Sequence, residues 1–177
     1  MSLATAPPYD GREVANLLLD KADARQVALT QISLLKILYF CQGWYLLYKN
    51  KPLICNDFEA WENGPVIKVV RDAFKSFGGK RITGRAGKFD LMSGEVAEVI
   101  PNLNPADEDF VSQIFEVYHV FGPWELRDMT HEPGSPWHKL WKSDQPVARF
   151  GLRIKNQEIL EHFRLKAEQK SAIVIKS

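Results

Sequence analysis

The sequence predicts a mainly α, single compact domain of about six helices with minor β structure, a short strand or hairpin. Three observations carry that reading. The run Gln31 to Tyr48 is apolar on nearly every face, so it makes a helix buried all round, around which the others pack. Val66, Val69, Val70, Ala73, Phe74 and Phe77 step by three and four, the repeat of an amphipathic helix. Residues 80–103 lose that repeat, with Gly84, Gly87 and Gly94 between short apolar positions, which leaves room for a small hairpin. The 177 residues are 45% hydrophobic and 11% aromatic, enough for one sizeable core.

In chain order, residues 1–9 with Pro7-Pro8 read as a flexible leader, residues 10–170 as the domain and residues 171–177 as an apolar tail. Asp10 and Glu13 have capping-box spacing and open a first helix running to about residue 23. Thr30 caps the central helix, in which Gly43 costs about 1 kcal/mol of helix propensity relative to Ala and admits the close approach of another backbone. Leu53 to Trp61 is extended. The octapeptide Glu59 to Val66 reads as a rigid corner, with Gly64 as helix N-cap and Pro65 at the first position of a helix that stops at Gly78-Gly79. Asn104-Pro105 restarts a helix whose acids Asp107, Glu108 and Asp109 suit its positive end. Its expected buried stripe is Phe110, Ile114, Val117, Tyr118 and Phe121. Pro123 opens a short helix to about Met129. Thr130 to Trp137 is a connector broken by Pro133, Gly134 and Pro136. Asn156 caps a last helix with Ile159, Leu160, Phe163 and Ala167 on its apolar side.

Composition narrows the function classes. A net charge of +1 gives no global attraction to nucleic acid or an anionic membrane. Leu34 to Tyr48 is interrupted by Lys36, Gln42 and Gly43 and is shorter than the ~20 residues a bilayer demands, so no membrane partner is expected. Two cysteines, Cys41 and Cys55, are too few for a disulfide framework, and the cytoplasm is the expected compartment. Gly79 to Ala86 imitates a phosphate-binding loop, but Arg85 and Ala86 stand where Lys and Ser or Thr belong. Lys75, Lys80, Arg81, Arg85 and Lys88 form a basic window with no acid between Asp72 and Asp90. No helix-turn-helix or aromatic platform accompanies it, so it reads as a solvated loop or a contact for an acidic protein rather than for nucleic acid.

His131, Glu132 and His138 are the clustered residues with metal or acid-base potential, the basis for an alternative reading as a metal-dependent enzyme. The two histidines are seven apart across two prolines, which matches no common zinc spacing. A hydrogen-bonding role for His131 across the connector is therefore the expectation, with Glu132 accepting backbone N–H bonds of the loop. No Gly-x-Ser-x-Gly elbow occurs. No catalytic residue, cofactor or metal is assigned.

Four blocks in order, Lys36 to Trp44, Lys51-Pro52-Leu53, Glu59 to Val66 and Thr130 to Trp137, resemble the Panacea family of bacterial and phage antitoxins, which includes SocA-like and GepA-like phage-associated proteins. The resemblance covers about residues 12–165. It implies a mostly helical domain that neutralises a cognate toxin by direct contact, or alternatively an adaptor that delivers the toxin to a AAA+ protease. The motif residues Trp61, Gly64, Pro65, His131, Glu132 and Trp137 carry no established chemistry in that family and are expected to be structural or binding. With them committed to the scaffold, the expected toxin contacts are Lys80, Arg81, Arg85 and Lys88 of the loop and Ile173, Val174 and Ile175 of the tail, the last able to add a strand to a partner sheet. The oligomeric state is left open.

Overall fold

A computed structural model describes residues 5–142 and 151–175, with side chains through residue 170. Seven α-helices occur among the described residues: α1 (Gly11–Ala24), α2 (Gln31–Lys49), α3 (Lys68–Phe74), α4 (Pro105–Tyr118), α5 (Pro123–His131), α6 (Pro136–Trp141) and α7 (Asn156–Ile175). The mainly α expectation holds, with one helix more than anticipated because α6 starts at the end of the broken connector. Pro136 sits in its first turn, and the Ser135 side chain caps it by accepting from the His138 N–H. Five short strands accompany the helices. β1 (Phe58–Trp61) lies between β2 (Gly64–Val66) and β5 (Arg153–Ile154), antiparallel to both, and β3 (Gly87–Phe89) pairs with β4 (Val96–Glu98) in a separate hairpin.

The central helix is central as its composition requires. Residues Ser33 to Leu46 of α2 are buried, and α1, α4, α5 and α7 pack around it. Thr30 caps it by accepting from the Ser33 N–H, and Asn50 ends it in the left-handed region. Phe163 of α7 lies over Gly43, among the rings of Tyr39, Phe40 and Trp44. Two polar side chains organise the core. Gln42 accepts from the N–H groups of Leu53 and Ile54 and donates to Asn156, tying the segment before β1 to the start of α7. Buried Asp107 accepts from Tyr9, Tyr45 and Asn104, which joins the leader, α2 and α4.

Several local expectations are corrected. The Glu59 to Val66 corner is a strand turn, not a helix start. Gly64 has φ of +100°, a region glycine enters without steric cost, so the chain reverses over Glu62-Asn63 and Trp61 faces Gly64 across the hairpin. Consequently α3 begins at Lys68, and its last turn tightens into a 3-10 turn over Lys75–Phe77. Asp10 caps α1, but Glu13 leaves the capping box to accept from the Asn102 N–H at 2.8 Å. In α4, Ile114 and Tyr118 are buried as expected, Val111 and Phe115 join them, and Val117 is exposed. The tail is not extended: helical backbone continues to Ile175, because Leu165 to Lys170 are good helix formers and extending a helix is easier than nucleating a strand.

Candidate functional site

The motif residues converge where the β1–β2 turn meets the joint between α5 and α6. The Trp137 indole N–H donates to the Trp61 carbonyl at 2.6 Å, joining two blocks far apart in sequence. His131 stacks on Trp137 with ring centroids 3.5 Å apart and hydrogen-bonds the Asn63 backbone, which ties it to the β1–β2 turn. Gly64 stands so close to Thr130 and Lys36 that a Cβ there would meet Thr130 Oγ1 at 2.8 Å and Lys36 Nζ at 2.9 Å. Lys36 Nζ in turn donates to the Pro65 carbonyl at 2.8 Å. Burial first, then the nearby Arg127 and Lys36 cations, push His131 down to about 4, so its ring is neutral at physiological pH.

Glu132 leaves this cluster. Instead of holding its own loop's N–H groups, its carboxylate takes His162 at 3.0 Å and Lys166 of α7. Those bonds draw Glu132 down to about 2 against its desolvation. Glu132 is thus a staple for the last helix. Among the described residues no three His, Cys, Asp or Glu side chains gather in a metal-holding group. Lys36 is the residue that sequence reasoning passed over, treating it as an interruption of an apolar helix. The available signal was that interruption: a lysine on a helix apolar all round must find a buried acceptor.

Two residues of the basic window, Arg81 and Arg85, are neutralised. Arg81 pairs with Asp23 at 3.0 Å, and Arg85 pairs with both Asp20 and Asp23 at 2.7 Å. These acids lie on α1, remote in sequence, so local charge counting could not find them. Lys80 and Lys88 remain exposed. Ile173, Val174 and Ile175 fall in the last turn of α7, and their side chains lie outside the described residues.

The β3–β4 hairpin, for which residues 80–103 left room, presents an exposed surface. Its base is clamped by Asn16 of α1, which is fully buried. The Asn16 amide donates to the Ala86 carbonyl at 3.0 Å and the Val99 carbonyl at 2.7 Å, while its oxygen accepts from the Ala86 N–H at 2.8 Å. Beyond the clamp the hairpin is apolar and exposed: Phe89 faces Val96 across the strands, and Leu91 and Met92 at the tip are 87% and 95% exposed. Exposed apolar side chains on a hairpin clamped at its base are the kind of patch that marks an interaction site. No helix among the described residues is long and apolar enough to cross a membrane.

Residues 34–138 match the family model described as antitoxin SocA-like, Panacea domain. The chain is 39% identical over 158 residues to antitoxin SocA of Caulobacter vibrioides (strain NA1000 / CB15N), an alignment covering 88% of this chain and 82% of that protein. No solved structure matches the chain.

Proposed function

The chain belongs to the SocA-like, Panacea-domain antitoxin family, and from that membership we propose that it neutralises a cognate toxin by direct protein contact, covering the toxin's working surface. The observation that carries this reading is the division of labour within the fold. Trp61, His131 and Trp137 bond to or stack on one another within the scaffold and Glu132 is spent on α7, whereas the clamped hairpin offers Phe89, Leu91, Met92 and Val96 to solvent. Such apolar, pre-organised residues suit a contact that must form without ordering a loop first. Lys80 and Lys88 flank this surface as rim charges, with a greater effect on association rate than on affinity. Arg81 and Arg85, already paired to α1, contribute less than the sequence suggested, and Ile173 to Ile175 engage the toxin as a helical turn. The cytoplasm is the compartment in which such a pair operates.

The test uses the protein encoded beside this gene as the toxin. Purified antitoxin is titrated into the toxin's activity assay without any protease. Inhibition at stoichiometric antitoxin is the expected result, and a double variant Leu91→Ser/Met92→Ser, with unchanged thermal unfolding, should bind at least tenfold more weakly, roughly the loss of two interface side chains. Full toxin activity within a stable complex would overturn occlusion and favour delivery to a AAA+ protease. Undiminished binding by the double variant would remove the hairpin from the interface.

A further inference from the structure

A cleft of about 450 Å³ opens between the first turns of α2, the β1–β2 turn and the end of α3. Gln31, Lys36, Trp61, Asn63 and Arg71 supply its polar lining, and Gly78 and Gly79 leave one wall without side chains. Glu62 lies exposed at the turn that forms its mouth. The volume falls within the range of small-ligand sites. What distinguishes the cleft is its charge balance.

Two arginines are accounted for. Arg71 lies over the Trp61 ring at 4.6 Å and pairs with Asp72 at 3.2 Å. Arg127, close enough to disfavour charge on Lys36, pairs with Asp128 at 3.0 Å. Lys36 is different. It is 1% exposed, its ammonium donates to the Pro65 carbonyl, and no carboxylate pairs with it among the described residues. An ammonium carries three donors, and burying it beside a lone carbonyl leaves the charge uncompensated. Burial and Arg127 accordingly push Lys36 down to about 7. Nearby, Arg127 Nε is buried without a partner among the described residues. Lys36 and Arg127 therefore bring unspent N–H donors and positive charge to this region, and no anion answers those donors among the described residues.

We propose that this cleft binds a single carboxylate, received by Lys36 Nζ with Asn63 and Arg71 beside it, and offered by an acidic side chain of a protein partner. One charge fits because one cation lacks a counter-ion; a phosphate dianion or a nucleotide would bring further negative charge against Glu62 at the mouth. The Trp61 ring, backed by Arg71, gives a flat apolar wall for the methylenes that carry a glutamate carboxylate. The proposal stands on the cleft and does not depend on which toxin is neutralised, or on how.

The experiment is an NMR titration of the full chain, following the Trp61 indole N–H and the Asn63 amide. The probes are an end-capped Gly-Glu-Gly tripeptide, its Gly-Gln-Gly counterpart and inorganic phosphate. Saturable shifts with the Glu peptide are expected, with the Gln peptide about tenfold weaker, the ratio of a charge-assisted to a neutral hydrogen bond. Lys36→Met should abolish the response. Because that variant alters the core, Glu62→Gln provides an independent arm: it removes a like charge from an exposed position and should tighten Glu-peptide binding about twofold to threefold. Equal responses to the Glu and Gln peptides, or no gain from Glu62→Gln, would overturn the proposal. A response to phosphate and not to the Glu peptide would also overturn it, assigning the cleft to a free inorganic anion.

Discussion

Phe163 of α7 occupies the space that a side chain at Gly43 of α2 would need: a Cβ at that position would stand 2.2 Å from two atoms of its ring. Helix propensity favours Gly43→Ala by about 1 kcal/mol. Overpacking opposes it by about 1–3 kcal/mol or more, and fully buried Phe163 has nowhere to retreat. Packing wins, so Gly43→Ala should lower the urea midpoint. Combining it with Phe163→Ala should cost less than the sum of the two single changes, because the alanine methyl then enters the vacated space. Additive costs would show that the contact is not the cause.

The Asn16 clamp predicts a hairpin that loosens without global unfolding. Asn16→Asp keeps the acceptor for the Ala86 N–H but replaces two donors with a carboxylate facing the Ala86 and Val99 carbonyls. Losing the bonds and stranding buried groups should cost about 2–4 kcal/mol. Hydrogen exchange should quicken at Val99 and along β3 and β4 more than in α2. Uniform acceleration throughout the chain would refute a local clamp.

Glu132 sets an acid-dependent grip on α7. Its pKa is lowered from 4.5 to about 2 by His162 and Lys166, so the unfolded chain binds the proton first as pH falls. The stabilisation is complete above pH 4.5, declines as pH drops towards about 2, and is absent below that. Since the side chain is partly exposed, solvent screening reduces the size of the effect. Wild type should melt above Glu132→Gln at neutral pH, with the two converging near pH 2. A constant gap across that window would show that the staple is not ionic.

His131 adds a second acid-side dependence. With its pKa lowered from 6.5 to about 4, the folded protein resists the proton that the unfolded chain accepts. Stability is therefore full above pH 6.5 and falls as pH drops to about 4. The ring resonances of His131 should titrate near 4, and His131→Phe, which keeps a ring on Trp137, should flatten the melting curve between those values. A midpoint near 6.5 would mean that the ring is not held neutral by its surroundings.

Much of the fold is legible in local chemistry. Thr30 and Asn104 cap where a side-chain oxygen meets a free N–H, and the all-apolar α2 could only be central. Gly43 announced the close approach of another backbone, and what fills the space is the Phe163 ring instead. The Gly64-Pro65 pair was harder, since glycine before proline suits both a helix start and a tight strand turn. The choice was made by pairing with β1, together with Lys36 reaching the Pro65 carbonyl. The candidate site was less legible still: the arginines of the loop looked free until Asp20 and Asp23 arrived from α1.

The sequence by itself determined the mainly α class, the positions of most helix ends, the central helix and the family, because caps, periodicity and motif order are properties of neighbouring residues. Tertiary structure alone decided which charges are spent and which remain. Glu132 was committed to α7, Arg81 and Arg85 to α1, and Asn16 to the hairpin base. Lys36 was left without a counter-ion and Leu91 and Met92 without cover. The physical reason is that hydrogen bonds and ion pairs act over a few ångströms of space, and only folding sets which distant residues come that near.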